Sequence, residues 1–168
     1  MNINRTKEKK LSIAFVVPTF MPESYSGAEQ QTLRLASNLK NNNFEAFILA
    51  SRLKKETASE SFERNVLVKR FKVNNLPNLG GRNIFSFIIW SLKLIYWLIK
   101  NSNKFDIIHV IHGRLHSAPA LLAAKILKKP VLVKIGRGGK KYFDVNAVNK
   151  KKVIGKFFSR YILKNTTG

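Results

Sequence analysis

Five short apolar runs that alternate with longer, helix-like segments constrain the fold more than any other feature of this sequence. The runs cover residues 11–17, 44–50, 66–71, 106–111 and 131–135. The first run, LSIAFVV, is almost continuously apolar, as are strands buried on both faces of a parallel sheet. The third run is shorter and partly polar, which favours a place nearer a sheet edge. The alternation predicts the α/β class: a doubly wound parallel sheet with right-handed crossovers and ligands at the carboxyl ends of its strands.

Two of the intervening segments have the spacing or the capping residues of packed helices. After the first run, the predicted buried face consists of Ala28, Thr32, Leu35, Ala36 and Leu39, with Glu29, Arg34 and Lys40 off it. After the fourth run, Ser117 is predicted to cap a helix that carries Pro119 in its first turn. The polar segment LKKETASESFERN, at 53–65, is predicted to be a surface connection.

The segment at 84–99, IFSFIIWSLKLIYWLI, is apolar nearly all round. A membrane-spanning helix needs roughly 17–25 residues, so the length of this segment is marginal for a span. Lys93 lies near its middle, where a charge would be costly in a bilayer. Because the segment lies between two predicted strands, a crossover helix is the leading interpretation. Trp90 and Tyr96 beside Lys93 and Lys100 also suit a helix that lies in a membrane interface, which is the alternative.

Charge is the strongest compositional feature, since 31 Lys and Arg face 9 Asp and Glu, for a formal net charge of +22. No acidic residue lies between Glu63 and Asp106 or after Asp144, so the excess is regional. An anionic partner would match this positive charge, and three classes are candidates: nucleic acid, anionic lipid headgroups and phosphorylated substrates. The aromatic side chains cluster in one apolar helix instead of interleaving with basic residues on a strand, which argues against nucleic acid.

The absence of cysteine excludes disulfides and thiolate metal sites and favours a reducing compartment, so we expect a cytoplasmic protein. Residues 1–10 form a basic N-terminal tail, and the domain is expected to cover 11–168. The apolar run that follows the tail is ended by Pro18. This run is too short and too strand-like to be a secretory signal.

The loop after the first strand carries the main candidate site. Ser26 and Gly27 precede the predicted helix, where backbone amides point at a ligand and a glycine lets it approach closely. An anion is favoured there. No GxGxxG pattern follows the strand, so the dinucleotide fingerprint is absent.

Two stretches resemble one enzyme family in the expected order. PTFMPESYSGAEQQTLRLASNL is similar to the first loop and helix of the family 4 glycosyltransferases, and FDIIHVIHGRLHSAPALLAAKILKKPVLVK to the later strand, helix and strand of their N-terminal domain. The resemblance implies a Rossmann-like domain of the GT-B fold, in which this half binds the acceptor and a second half binds the nucleotide-sugar donor. It also implies that a loop after the first strand reaches the donor phosphates. Ser26 stands here in the first position of the family's paired glycines, followed by Gly27.

Other candidate residues follow the fourth and fifth runs. His109 is interpreted as a buried imidazole, whereas His112 and His116 are expected in the loop as acceptor contacts. Many family members carry a histidine after the fifth strand. This chain has Gly136 and Arg137 there, so no catalytic residue is assigned, and Arg137 with Gly138 is expected to line the cleft.

The resemblance implies a function for the chain as the acceptor-side half of an enzyme. That enzyme would transfer a hexose from a nucleotide sugar to a lipid-linked or cell-envelope glycan, at the inner membrane face. No metal and no cofactor are expected, because helix dipoles and basic side chains usually neutralise the diphosphate in this fold. The family's donor domain lies beyond these 168 residues. We therefore expect a truncated GT-B half that is nearly inactive alone: a truncated gene product, a fragment, or a subunit whose partner supplies the donor domain in trans. The alternative function is a non-catalytic, basic membrane-surface binding module.

Overall fold

The computed structural model describes residues 10–75, 83–135, 157, 160–162 and 164–166. Its strands are β1 (Ser12–Val16), β2 (Glu45–Arg52), β3 (Glu60–Glu63), β4 (Val66–Lys72), β5 (Ile107–Ile111) and β6 (Val131–Lys134). Its helices are α1 (Gly27–Asn41), α2 (Asn83–Lys100) and α3 (Ser117–Leu127), with a 3₁₀ turn at Ser102–Lys104. The five predicted strands and the three helices are confirmed.

The strands form one six-stranded sheet in the order β3-β4-β2-β1-β5-β6. All neighbouring pairs are parallel except β3 with β4, so the sheet is mixed rather than wholly parallel. The prediction that 53–65 is only a connection was therefore wrong, because it contains β3. The sequence ESFE hides this edge strand, since only one side chain in it is apolar. Pairing with β4 stabilises it, as in the ion pair of 2.5 Å between Lys69 and Glu60.

The core has one layer on each face of the sheet, which is the doubly wound arrangement. The layer under α1 includes Phe15, Phe20, Leu33, Ala36 and Ile48. The layer under α2 and α3 includes Trp90, Leu94, Leu98, Leu121 and Ile162. All three helices begin at the carboxyl edge of the sheet. α1 packs on one face, and α2 and α3 pack on the other.

The buried face of α1 differs from the predicted one at three positions. Leu33 is buried, whereas Leu35 is exposed. Glu29, predicted off the buried face, is also buried. The predicted face was chosen by helical spacing, which assigns a charged residue such as Glu29 to the exposed side. Glu29 can be buried because hydrogen bonds from the preceding loop compensate for the burial of its carboxylate.

α2 is a crossover helix between β4 and β5, as the leading interpretation held. Phe87, Trp90, Leu94 and Leu98 face the core. The Nζ of Lys93 reaches the surface and donates to the carbonyl of Lys72 at 2.8 Å. Within the described residues α2 is also long and apolar enough to cross a membrane, with a mean hydropathy of 1.3 and 28% of its residues buried. Much of its apolar surface is therefore uncovered.

The start of α3 also departs from the prediction, because Ser117 does not cap the helix. The N-cap residue is His116, and Ser117 is the first helical residue, whose hydroxyl donates to the carbonyl of Arg114. A turn over 112–116 places the helix start one residue earlier than the capping pattern indicated.

Candidate functional site

The candidate site lies at the carboxyl ends of β1 and β5, two neighbouring parallel strands of the sheet. The chain leaves β1 toward α1 on one face and leaves β5 toward α3 on the other. Such a switch point opens a crevice outside the sheet, where ligands of doubly wound proteins bind. The loop at 17–26 and the turn at 112–116 form its two sides.

The first part of the loop at 17–26 is fixed to the sheet. The amide of Val17 donates to the carbonyl of Leu49 at 3.0 Å, and Phe20 is fully buried beneath the loop. The carboxylate of Glu23 accepts hydrogen bonds from the amides of Leu53 and Lys54 at 2.8–3.0 Å. These contacts hold the loop against the ends of β1 and β2.

Arg70 of β4 supports the same loop from below. Its side chain is buried, at 3% exposure, and its Nε donates to the carbonyl of Met21 at 3.1 Å. Its Nη1 donates to Ser61 Oγ at 2.9 Å, and its Nη2 lies 3.8 Å from Glu63. Burial lowers the pKa of Arg70, while Glu63 and Glu23 oppose that shift. One guanidinium thus joins the loop to the edge strand.

The second part of the loop ends in a capping box at the start of α1. Ser26 is the N-cap residue, and its amide donates to Glu29 Oε2 at 2.9 Å. Ser24 Oγ donates to Glu29 Oε1 at 3.0 Å, and the amide of Ala28 donates to Ser26 Oγ at 3.3 Å. Burial raises the pKa of Glu29, but the hydrogen bonds from Ser26, from its own amide and from Ser24 outweigh it, so the pKa lies below its ordinary 4.5.

Replacing Glu29 with glutamine should lower the free energy of unfolding at pH 7 by about 1 kcal/mol, because a neutral amide oxygen accepts weaker hydrogen bonds from Ser24 and Ser26 than the carboxylate does. The depressed pKa means that the carboxylate stabilises the fold above pH 4.5 and that this contribution is lost as the pH falls through the folded-state pKa. The difference between the two proteins should therefore shrink in acid. Urea unfolding at pH 7 and in steps below pH 4.5 measures it; a constant difference at all pH values would contradict the assignment.

Gly27 is the first residue of α1 and lies on the solvent side of the loop, opposite the buried carboxylate of Glu29. A Cβ built at Gly27 would meet no atom within 4 Å. Neither the packing nor a left-handed backbone therefore requires glycine at this position. The absence of a side chain leaves open space in front of the exposed helix start.

The three histidines lie in three different environments. His109 is half-buried in β5, with its ring 5.1 Å from that of Phe15, and burial followed by the charge of Lys134 lowers its pKa. His112 follows β5 directly and has a φ of 68°, which turns the chain away from the strand. His112 therefore lies at the carboxyl edge of the sheet, and its contact with an acceptor stays a prediction.

His116 lies in the core, contrary to the expectation of a loop residue that faces the acceptor. Its side chain is 4% exposed, and its Nε2 lies 2.7 Å from the carbonyl of Ile111. The ring also packs edge-on against Trp90 at 6.4 Å. The burial follows from its N-cap position, where the turn directs the side chain back under α3, so that it supports the turn that carries His112.

Arg137 and Gly138 lie outside the described residues. Within the described parts of the chain, no three of the His, Asp and Glu side chains are grouped so that they could hold a metal ion. A cation lies near the first part of α1, because Lys134 at the end of β6 donates a hydrogen bond to Gln31 in the second turn of the helix. The crevice is therefore bordered by helix amides and by at least one basic side chain.

A match to a protein-family model shows to which family the chain belongs. The family model described as Glycosyltransferase Family 4 matches residues 25–135, which include the capping box, β5, α3 and β6. The chain belongs to this family. Among curated proteins, no sequence matches the chain significantly.

Solved structures show the same fold at low sequence identity. A sucrose-phosphate synthase from Thermosynechococcus elongatus superposes with a TM-score of 0.63 at 11% identity, over 94% of this chain and 41% of that one. MurG from Acinetobacter baumannii gives 0.52 at 15% identity, over 95% and 40%. The UDP-GlcNAc 2-epimerase of Methanocaldococcus jannaschii, solved with UDP-GlcNAc and UDP, gives 0.51 at 16%, over 92% and 38%. The chain thus spans about two fifths of their length and has the Rossmann-like N-terminal fold of the GT-B architecture.

Sequence reasoning missed two residues that shape the family's loop in this chain. Glu29 had a signal, because Ser26 and Glu29 have the spacing of a capping box. Arg70 had none, since an arginine in the run VLVKRF reads as an exposed side chain of a strand near the edge. Its role depends on β3, which covers it and was itself not predicted.

Proposed function

We propose that this chain is the acceptor-side half of a glycosyltransferase that moves a hexose from a nucleotide sugar to a lipid-linked or cell-envelope glycan. The observation that carries the proposal is the open, exposed start of α1 at Gly27, at the switch point of a domain that belongs to Glycosyltransferase Family 4. A diphosphate could approach there without meeting a side chain.

The proposed chemistry needs positive potential where the nucleotide diphosphate departs. The amides at the start of α1 supply partial positive charge, and Lys134 adds a full charge beside them. The buried carboxylate of Glu29 occupies the inner side of the loop and leaves the outer side to the ligand. We propose that the reaction needs neither a metal nor a cofactor, with the nucleotide sugar as co-substrate.

The proposal assigns His112, beside the crevice, to the acceptor. Arg137 and Gly138 keep their predicted place in the cleft as part of this proposal. A second Rossmann-like domain supplies the donor site, either on a longer polypeptide or from a partner. The enzyme works in the cytoplasm, at the inner face of the membrane.

A transfer assay tests the proposal directly. The chain is produced together with the second Rossmann-like domain encoded downstream of it and is incubated with labelled UDP-hexoses and GDP-hexoses and with membrane extract. We expect label in the lipid-linked or polymeric fraction when both halves are present and almost none with this chain alone. A downstream region that encodes no such domain, together with no transfer from any donor, would refute the proposal.

The uncovered face of α2 favours a second candidate, a non-catalytic module on an anionic membrane surface. Phe85, Leu92 and Tyr96 are 63–70% exposed, and Lys100 lies over the ring of Tyr96 at 5.6 Å. An amphipathic contact of this kind combines apolar burial with attraction to anionic headgroups.

Sedimentation with phosphatidylglycerol vesicles distinguishes the two candidates. Salt-sensitive binding to the vesicles without any sugar transfer, even after the donor half is added, would favour the binding module. Transfer that depends on the donor half favours the enzyme, whether or not the vesicles bind.

A further inference from the structure

A small cleft lies between the loop at 17–26, α1 and the turn that joins β3 to β4. Its volume is about 50 Å³, and the residues that line it are Met21, Tyr25, Gln30, Leu33, Arg34 and Arg64. We call it the arginine cleft. A space of roughly 10–15 Å³ holds one water molecule, so this cleft has room for an anion of the size of phosphate. It is separate from the crevice, because β3 and β4 lie on one side of β1 in the sheet and β5 lies on the other.

The two arginines of the cleft carry charges that nothing in the described part of the chain neutralises. There, the guanidinium groups of Arg34 and Arg64 form neither an ion pair nor a hydrogen bond. The side-chain amide of Gln30 lines the same cleft and also has no partner in the described structure. Two like charges beside one small space repel each other, and an anion between them would replace this repulsion with two charge-assisted hydrogen bonds.

The turn that carries Arg64 is held against α1 by two hydrogen bonds. Ser37 Oγ donates to the carbonyl of Arg64 at 2.9 Å, and Lys40 Nζ donates to the carbonyl of Asn65 at 2.8 Å. Ser37 lies three residues after Arg34, so both are on the same side of the helix. The backbone that carries each arginine is therefore fixed beside the cleft, which lowers the entropy that a ligand must remove when it binds both side chains.

The backbone conformation at Arg64 does not favour an arginine. The φ angle is 47° at Arg64 and 65° at Asn65, so both central residues of this two-residue hairpin turn are left-handed. Turns of this kind prefer Asn, Asp or Gly, which suits Asn65 but not a long side chain at the position before it. Strained residues cluster where a protein binds a ligand. The turn itself therefore does not explain the arginine, whereas a charge needed in the cleft does.

The carboxylates of the surrounding loop and turn are bound elsewhere. Glu23 accepts hydrogen bonds from backbone amides that follow β2, and Glu29 is bound inside the capping box. Glu63 lies 3.8 Å from the buried guanidinium of Arg70. Arg70 in turn donates to the carbonyl of Met21 in the wall of the cleft, so a third positive charge lies behind that wall. Of the described residues that line the cleft, none is acidic.

From this arrangement we infer that the arginine cleft binds a phosphate group, with the guanidinium groups of Arg34 and Arg64 and the side-chain amide of Gln30 donating to its oxygen atoms. A phosphate dianion matches the two guanidinium charges, whereas a carboxylate matches only one. Tyr25, which is 66% exposed, adds an aromatic ring at the rim, where the sugar of a phosphorylated saccharide would make contact. The bound phosphate ties the loop at 17–26 to the turn between β3 and β4. The site is distinct from the start of α1 and does not depend on the proposed function.

Calorimetric titration of the full chain with glucose 6-phosphate, at constant ionic strength and in a buffer without phosphate, tests the site. Arg34→Gln and Arg64→Gln each remove one charged donor, and we expect each to weaken the binding at least about tenfold. Arg160→Gln is the matched control, because it makes the same substitution at an exposed arginine that does not line the cleft, and its affinity should stay within about twofold. Circular dichroism confirms that each variant is folded.

Inorganic phosphate is the comparison ligand that identifies the source of the phosphate. If glucose 6-phosphate binds more tightly than inorganic phosphate, and Tyr25→Ala removes the difference, the site is one for a phosphorylated saccharide. If the two ligands bind equally, the site is one for free phosphate. Both results support a phosphate site in the arginine cleft.

Four outcomes would overturn the inference. The first is that neither glucose 6-phosphate nor inorganic phosphate binds, and the second is that glucuronate binds as tightly as glucose 6-phosphate. Full affinity in Arg34→Gln and Arg64→Gln would place the phosphate elsewhere on the chain. Equal losses from Arg34→Gln and Arg160→Gln would indicate attraction to the overall positive charge instead of a site. A negative transfer assay, by contrast, would refute the proposed function and leave the phosphate result standing.

Discussion

Replacing Arg70 with methionine is expected to lower the free energy of unfolding by about 2–6 kcal/mol, because two acceptors inside the protein lose the donor that satisfies them. The methionine would fill most of the space but would leave the carbonyl of Met21 and the hydroxyl of Ser61 without their donor. Each buried polar group left unpaired costs roughly 1–3 kcal/mol. The loss should therefore exceed that of an ordinary surface substitution several-fold.

Arg70→Lys tests whether the several N–H donors of the guanidinium are needed, because this variant keeps the positive charge. An ammonium group is a single point of donation, so it can reach the carbonyl of Met21 or the hydroxyl of Ser61 but not both with good geometry. We expect a loss smaller than that of Arg70→Met yet still measurable. Urea unfolding gives both values, with Arg34→Ala as the control because Arg34 is exposed on α1. A loss below about 1 kcal/mol for Arg70→Met would mean that the loop and β3 do not depend on this side chain.

The central part of the sheet was predictable because its strands carry their own signal. Runs such as LSIAFVV are apolar on both faces, and such a run has few alternatives to a buried parallel strand. The edge strand β3 could not be predicted in this way. Its sequence ESFE becomes a strand only through pairing with β4, which is a tertiary effect and leaves no local pattern.

The candidate site was predictable to the extent that it depends on chain order. Ser26 and Gly27 were placed at the start of α1 because a loop between a strand and a helix must reach the carboxyl edge of the sheet. The surroundings of the histidines depend on turn geometry instead. His116 is buried because α3 begins one residue earlier than the capping pattern indicated, and no spacing in the sequence reveals a shift of one residue.

Gly27→Ala is expected to lower sugar transfer by about a hundredfold while leaving the stability of the fold unchanged or slightly increased. A Cβ at this position meets no protein atom within 4 Å, so the structure itself tolerates it. Alanine also loses less backbone entropy than glycine when it enters a helix. The methyl group would instead occupy the open space in front of the helix start, where the proposed diphosphate approaches. Misplacement of a reacting group by about 1 Å can cost on the order of a hundredfold in rate.

A ligand role and a structural role of Gly27 can be distinguished, because the loss of a ligand contact lowers sugar transfer whereas the loss of a structural contact lowers thermal stability. Thermal unfolding should give the same or a slightly higher midpoint for Gly27→Ala than for the original chain, and transfer in the presence of the donor half should fall. Gly27→Val should lower transfer further, since the added bulk enters the same space. Asn38→Ala is the matched control, because it lies exposed on the same helix, far from the loop, and should leave transfer intact. If Gly27→Ala transfers sugar at the original rate, the diphosphate does not pass this helix start, and the role proposed for the loop is wrong.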